Sequence, residues 1–215
     1  MGNANATRRG SIFSKQDSTS EEGSNRLSKR LSSRQNTLIE EEEFLPEPPA
    51  LPPPEPLTER QKELLTETWK LLEEDIAKVG VITFVSLFET HPDVQQSFMP
   101  FKGVEIEDLK HSRQLRDHAL RVMAFVQKAV ARLYEPDKLE TLLRDLGKKH
   151  YHYGAKQKYV DLVGPQFIIA IQPSLTDRWT EETQSAWTSL FLNMAYIMKG
   201  SMAAEERFKI KKPIG

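Results

Sequence analysis

The sequence contains no cysteine among its 215 residues. This absence excludes disulfide bonds, thiol catalysis, cysteine-ligated zinc and iron–sulfur clusters. It also fits a reducing compartment, where proteins are rarely stabilised by disulfide bonds.

Long hydrophobic runs and an excess of one charge are missing as well. The longest strongly apolar stretch is FIIAI at residues 167–171, far shorter than the roughly 18 residues that a membrane-spanning helix requires. The opening segment MGNANATRRG lacks the apolar stretch of a secretory signal. The formal net charge is −1, which gives no bias toward nucleic acid. We therefore expect an intracellular protein, in the cytoplasm or at the cytoplasmic face of the plasma membrane, with no nucleic-acid partner.

Proline is concentrated in one place. The segment 46-PEPPALPPPEP-56 holds seven of the thirteen prolines, which indicates a stiff, extended spacer. Residues 1–37, before it, are rich in Ser, Asn, Thr and Arg and poor in apolar residues, a composition typical of disorder. We expect residues 1–57 to form a disordered arm, residues 58–205 to form the folded domain, and residues 206–215 to form a short C-terminal tail.

The folded part has the pattern of an all-α protein. Its apolar residues recur with the period of a helix, and no alternating strand pattern is found. Thr58 followed by Gln61 forms a capping box that predicts the start of the first helix. Pro136 and Gly154 predict the two ends of a later one. We expect six to eight helices.

Other helix boundaries are predicted from breaking residues. A long helix is expected over about residues 108–133. The next-to-last helix is expected over about residues 157–171, ended by Pro173, and the last over about residues 176–199, ended by Gly200.

Two histidines lie on apolar faces of different predicted helices. Leu139, Leu143, Leu146 and His150 follow one another at helical spacing, so His150 lies on the buried face near the end of its helix. His118 borders the apolar face of the long helix. A neutral imidazole that faces an apolar interior can ligate a metal when its other nitrogen donates to a backbone carbonyl.

Two other interpretations remain open from the residues alone. An inward histidine is often a core residue whose hydrogen bonds are satisfied. His111, His118 and His150 together also supply three ligands for a zinc site, although the sequence has no His-Glu-x-x-His motif.

The first helices contain two segments that resemble a known family. Trp69 stands in the first helix as it does in most globins. The segment 87-LFETHPDVQQSF-98 is similar to the end of the second globin helix, with its turn proline at Pro92 and the haem-stacking phenylalanine at Phe98.

Two later segments resemble the same family. The segment 115-LRDHALRVM-123 is similar to the distal helix of a globin, and 146-LGKKHYHYGA-155 is similar to the proximal segment. The separation of 32 residues between His118 and His150 matches the family. Residues 58–200 as a whole resemble globins, and within them the globin X and neuroglobin-like hexacoordinate globins.

The resemblance implies a globin fold around a pocket for haem b, which is iron protoporphyrin IX. It makes His150 the proximal iron ligand and His118 the distal histidine. In neuroglobin-like and globin X-like proteins the distal histidine itself binds iron, whereas in other globins it hydrogen-bonds a bound gas without touching the metal. The residues expected to contact haem are Phe84, Phe98, His118, Val122, Leu146, His150 and Phe191, with Arg121 reaching a propionate.

Several functions follow from the resemblance. The first is reversible binding of O2, NO or CO by a bis-histidyl haem, with a redox, gas-sensing or signalling role. The second is a haem enzyme, a nitrite reductase or NO dioxygenase, supplied with electrons by a separate reductase. A conventional oxygen carrier or store, and a helical interaction module without haem, are the further alternatives.

The arm carries a candidate lipidation site at Gly2. Ala6 stands where the myristoylation pattern has Ser or Thr, so the match is imperfect. Seven basic residues outnumber three acidic ones up to residue 36, and such a basic stretch adds attraction to an anionic membrane surface. Globin X relatives carry a second lipid on a nearby cysteine, and Asn3 stands there instead. The membrane surface is therefore an expected partner through one acyl chain.

Overall fold

The computed structural model describes residues 52–210. The arm before residue 52, including Gly2 and most of the proline-rich spacer, lies outside the described residues, as does the end of the tail after residue 210. Predictions about those segments therefore stay predictions, and so does the division into arm, domain and tail.

Every regular element within residues 52–210 is a helix, which confirms the expected all-α class. None of these helices is both long enough and apolar enough to cross a membrane. Three short 3-10 turns lie between them, at Glu73–Asp75, Met99–Phe101 and Thr176–Arg178. The α-helices are α1 (Glu59–Leu72), α2 (Ile76–Thr90), α3 (Pro92–Ser97), α4 (Ile106–Lys110), α5 (Arg113–Val130), α6 (Pro136–His152), α7 (Gln157–Val160), α8 (Val163–Leu175) and α9 (Glu181–Ile210).

Local capping explains several helix ends. The Thr58 hydroxyl accepts from the Gln61 backbone N–H, and the Gln61 side chain accepts from the Thr58 backbone N–H, as the capping box predicts. Pro136 opens α6. Gly154 follows its end with φ +79°, a left-handed conformation that glycine adopts without strain.

The long helix begins later than its apolar pattern predicts. It starts at Arg113 because the Ser112 hydroxyl caps it by accepting from the Leu115 backbone N–H. The residues before Ser112 form the separate short helix α4.

The predicted ends at Pro173 and Gly200 are wrong. Pro173 lies inside α8 and is exposed, so water can reach the carbonyl that loses its partner. The helix ends instead at Leu175, and the next residue, Thr176, has φ +38°. Gly200 lies within α9, because buried packing continues beyond it: Met202 is buried and the Ser201 hydroxyl donates to the Arg144 carbonyl of α6 at 2.8 Å.

Two groups of buried apolar side chains form the core. The tryptophan cluster is built around Trp187, whose ring contacts those of Trp69 and Phe167 at centroid distances of 6.2 Å and 5.1 Å. The phenylalanine cluster joins α2, α3 and α5 around Phe84, Phe88, Phe101 and Leu115. Val122 of α5 packs against both clusters, so it marks where they meet.

Candidate functional site

His150 lies in the last turn of α6 and is half-buried. Its Nδ1 lies 2.9 Å from the carbonyl oxygen of Leu146. A carbonyl can only accept, so Nδ1 carries the hydrogen and donates it. The neutral ring then has its lone pair on Nε2, which is the arrangement of a histidine that ligates a metal.

The position of His150 depends on how closely α6 approaches α9. Gly147, less than one turn earlier, is buried against α9, and a Cβ placed on it would lie 2.4 Å from the Met198 carbonyl oxygen. Only a residue without a side chain allows this approach. The hydrogen bond from Ser201 to the Arg144 carbonyl connects the same two helices nearby.

His118 lies on α5 among three phenylalanine rings. The ring-centroid distances are 4.7 Å to Phe84, 5.5 Å to Phe98 and 6.0 Å to Phe101, all with the rings near perpendicular. Such edge-to-face contacts are favourable for aromatic rings and hold the imidazole in a defined orientation.

Burial lowers the pKa of His118 from its usual 6.5 to about 4, with smaller contributions from repulsion by Arg121 and by the protonated form of His150. The imidazole is therefore neutral at physiological pH and keeps an unprotonated nitrogen. The contribution from His150 also means that the two imidazoles lie within range of each other's charge. The structure thus brings the two histidines of the sequence prediction into one region.

The residues around the histidines suit a large apolar group. Every fully buried side-chain nitrogen and oxygen in the described residues has a hydrogen-bond partner. No side-chain hydrogen bond to His118 is found among residues 52–210, so its ring nitrogens stay available to a ligand. Apolar side chains next to the two clusters are only half-buried, and they include Phe98, Val122, Leu146 and Phe191. A protein interior normally packs such side chains closely, and a flat apolar cofactor would cover them.

The remaining predicted residues lie at different depths. Phe84 is buried in the phenylalanine cluster. Phe191 packs on Phe167 with a centroid distance of 4.9 Å and lies directly against Gly164. Arg121 is exposed on α5, one turn after His118, and no ion pair joins it to another residue of the 52–210 range.

The sequence reasoning missed Phe101 in this site. Phe101 is 2% exposed and packs on Phe88, on Phe98 and on the His118 ring. It ends a 3-10 turn in an irregular segment, where helical periodicity assigns no face. The available signal was a second phenylalanine three residues after Phe98, in the proline-containing segment 98-FMPF-101.

The zinc interpretation has no support in residues 52–210, where no group of three or more metal-binding side chains lies together. His111, the third histidine of that interpretation, is exposed at the end of α4.

Comparisons with known proteins agree on one family. The Globin family model matches residues 82–198. Neuroglobin-1 of Oncorhynchus mykiss is 34% identical over 150 residues, covering 69% of this chain and 92% of that protein. A Brassica napus protein that is named an anaerobic nitrite reductase is 25% identical over 156 residues, covering 71% of this chain and 96% of its own.

The fold has a similar counterpart among solved structures. A hexacoordinated haem protein from an anhydrobiotic tardigrade superimposes with a TM-score of 0.65 at 24% identity, covering 69% of this chain and 96% of the other. At this identity the likeness concerns the fold.

Proposed function

This chain belongs to the globin family, and on that premise we propose that it binds haem b with His150 as the proximal and His118 as the distal iron ligand. The observation that supports the proposal is that both imidazoles can present an unprotonated nitrogen. His150 donates through Nδ1 to the Leu146 carbonyl, which leaves Nε2 as the acceptor, and burial keeps His118 unprotonated through its lowered pKa.

The surrounding residues would hold the cofactor in place. Phe98, Val122, Leu146 and Phe191 would cover the apolar ring system, and Arg121 would supply a cation for a propionate. The sequence has no cysteine, so thioether attachment is impossible and the haem would be held without covalent bonds, as haem b is.

Bound haem iron supplies a redox-active centre that binds small gases. The protein's own residues decide access to it. His150 would hold the proximal side through a ring that its hydrogen bond to the Leu146 carbonyl orients. With both imidazoles on the iron, His118 would have to give way to O2, NO or CO, which favours a redox, gas-sensing or signalling role over bulk oxygen transport.

The optical spectrum of the haem-loaded protein tests this ligation. Sharp, split visible bands are expected in the ferrous state, and His118→Leu should replace them with one broad band. His150→Ala should weaken haem retention itself. His111→Leu is the matched control, because His111 is exposed at the end of α4. It should leave the ferrous bands and the haem retention unchanged.

A broad ferrous band in the unmodified protein that is insensitive to His118→Leu would contradict bis-histidyl ligation. An open sixth position and ordinary oxygen carriage or storage would then be the better function.

Nitrite reduction is the second candidate, favoured by the similarity to the protein named an anaerobic nitrite reductase. The electrons would come from a separate reductase, which makes that enzyme a proposed partner; NO dioxygenation would need one in the same way. Anaerobic production of NO from nitrite should be sustained by a physiological reductase and lost in His150→Ala. A reaction that stops after one turnover in the presence of that reductase, and continues only when a chemical reductant is added, would contradict an enzymatic role.

Membrane attachment through Gly2 remains a separate proposal, because the arm lies outside residues 52–210. Co-expression with a myristoyl transferase should make the protein float with anionic vesicles, and Gly2→Ala should abolish flotation. Equal flotation of both proteins would contradict acylation at Gly2.

A further inference from the structure

Gln95 is a buried polar residue in α3 that the gas-binding site does not explain. It is 6% exposed, and its side-chain Nε2 donates to two backbone carbonyls, Phe101 O at 2.9 Å and Val104 O at 2.7 Å. Both partners are acceptors, so the NH2 end of the amide must face them. A side chain without two donors cannot replace it.

Gln95 also forms a backbone hydrogen bond to the start of the segment that its side chain contacts. The Gln95 backbone carbonyl accepts from Phe98 N–H at 3.0 Å, and the Phe98 carbonyl accepts from Phe101 N–H at 2.8 Å. The segment of residues 98–105, here called the α3–α4 loop, is therefore attached to Gln95 at its start, its middle and its end.

This loop supplies two of the three rings around His118. Phe98 and Phe101 stack on each other at 6.0 Å with an interplanar angle of 22°. Each also presents its ring to the imidazole of His118, at 5.5 Å and 6.0 Å. The third ring, Phe84, lies on α2, so the loop is the part of this aromatic surround that lies outside an α-helix.

We propose that Gln95 is a positioning residue, which holds the α3–α4 loop closed and thereby sets how readily His118 leaves the iron. The proposal rests on the proposed role of His118 as the second axial ligand. For the imidazole to swing away, Phe98 and Phe101 must give way, and the two side-chain hydrogen bonds of Gln95 resist that movement. Their loss leaves two carbonyls without this partner and loosens the loop.

Loop closure is measured first, through a reaction that does not depend on haem chemistry. Lys102 is exposed in the middle of the loop, and trypsin cleavage of the Lys102–Gly103 bond, followed by mass spectrometry of the haem-loaded full chain, reports how often the loop opens. Gln95→Met keeps the side-chain length and removes both donors. We expect it to speed this cleavage about tenfold.

The adjacent residue provides the matched control. Gln96→Met makes the same chemical change one residue further along α3, where the side chain is exposed, and should leave the cleavage rate unchanged. Gly103→Ala perturbs the backbone of the same loop, because Gly103 has φ +72°, which strains a residue with a side chain. The added Cβ would meet nothing within 4 Å, so the change introduces no clash. Because Gly103 is part of the bond that trypsin cuts, this variant is assessed by the CO rate described below. Its backbone strain should raise that rate while leaving α3 intact, so the test survives if Gln95→Met folds poorly.

The movement of His118 is measured second, as the rate of CO binding to the ferrous protein at saturating CO, where release of the internal ligand limits the rate. We expect Gln95→Met and Gly103→Ala to raise that rate several-fold and Gln96→Met to leave it unchanged. The split ferrous bands should persist in all three variants, because His118 itself is intact.

The outcomes separate this proposal from the one that it rests on. Unchanged cleavage in Gln95→Met would overturn the role of Gln95 in closing the loop. Faster cleavage with an unchanged CO rate would overturn the coupling to His118. If His118→Leu leaves the ferrous spectrum and the CO rate unaltered, the proposed ligation fails first, and with it the positioning role, whatever the cleavage rates are.

Discussion

At the scale of single residues, His118 and His150 are the same side chain held in two different environments. His150 gains its orientation from a hydrogen bond within its own helix, from Nδ1 to the Leu146 carbonyl. His118 gains its orientation from aromatic packing, and burial lowers its pKa to about 4. The first imidazole is thus oriented by a polar contact and the second by apolar ones.

The lowered pKa of His118 predicts a pH dependence of stability in the haem-free protein. Between pH 6.5 and about pH 4 the unfolded chain binds a proton at this position and the folded chain does not. The free energy of unfolding should therefore fall as the pH is lowered through this window, by about 2 kcal/mol after allowance for partial exposure. Urea unfolding at several pH values measures it.

Two variants make this prediction specific to His118. His118→Leu should flatten the slope between pH 6.5 and pH 4, whereas His111→Leu, at an exposed position, should retain it. An identical slope in the unmodified protein and in His118→Leu would show that another group is responsible.

At the scale of helices, the close crossing of α6 and α9 decides where His150 lies. Gly147 brings α6 against the Met198 carbonyl, and Ser201 donates across the same interface. Because His150 follows Gly147 by less than one turn, a displacement of α6 here would carry the imidazole with it.

Adding one methyl group at this crossing should be costly. Gly147→Ala places a Cβ at 2.4 Å from a backbone oxygen that cannot rotate away, so we expect a loss of about 3 kcal/mol in the free energy of unfolding. Gly200→Ala is the matched control inside α9, where an added Cβ meets nothing within 4 Å. It should stabilise the protein by up to about 1 kcal/mol. Thermal unfolding of both variants measures the difference, and equal effects would contradict the close approach.

Capping at the start of α1 gives a second prediction at this scale. Thr58→Ala removes the hydroxyl half of the capping box and should lower the free energy of unfolding by about 1 kcal/mol. Thr66→Ala removes a threonine inside the same helix, whose hydroxyl bonds to the Lys62 carbonyl, and should be neutral or slightly stabilising. Denaturant unfolding distinguishes the two, and an equal loss in both would argue against the cap.

At the scale of the whole molecule, residues 52–210 contain both buried clusters and all residues of the proposed haem site. The first described residues also take part in this fold. Leu57 packs against the tryptophan cluster, and the Asn193 side chain donates to the Glu55 carbonyl at 3.0 Å. The folded unit therefore reaches a few residues upstream of α1.

A chain beginning at residue 52 should fold and bind haem like the full-length protein. We expect the same ferrous spectrum and a melting temperature within about 3 °C. A chain beginning at residue 59 loses Thr58, Leu57 and the contact to Asn193, and should melt several degrees lower. If removal of residues 1–51 alone abolished haem binding, the division between arm and globin domain would be wrong.

The parts of the fold that local chemistry controls could be predicted from the sequence. The capping box at Thr58, the opening of α6 at Pro136 and its termination at Gly154 depend on residues within a few positions of one another. The helical class and the inward faces of the two histidines follow from periodicity in the same way, while iron ligation itself stays a prediction.

Tertiary structure decided the rest, because the controlling contacts join distant residues. Gly200 does not end α9, since the following turn packs on α6, and Phe101 and Gln95 acquire their roles from a loop without regular periodicity. The sequence by itself determined that the folded part is helical, which faces are apolar and which two imidazoles point inward. Only the packing of helices against one another determined how close those imidazoles lie and which side chains restrain them, because such distances depend on contacts that no local pattern encodes.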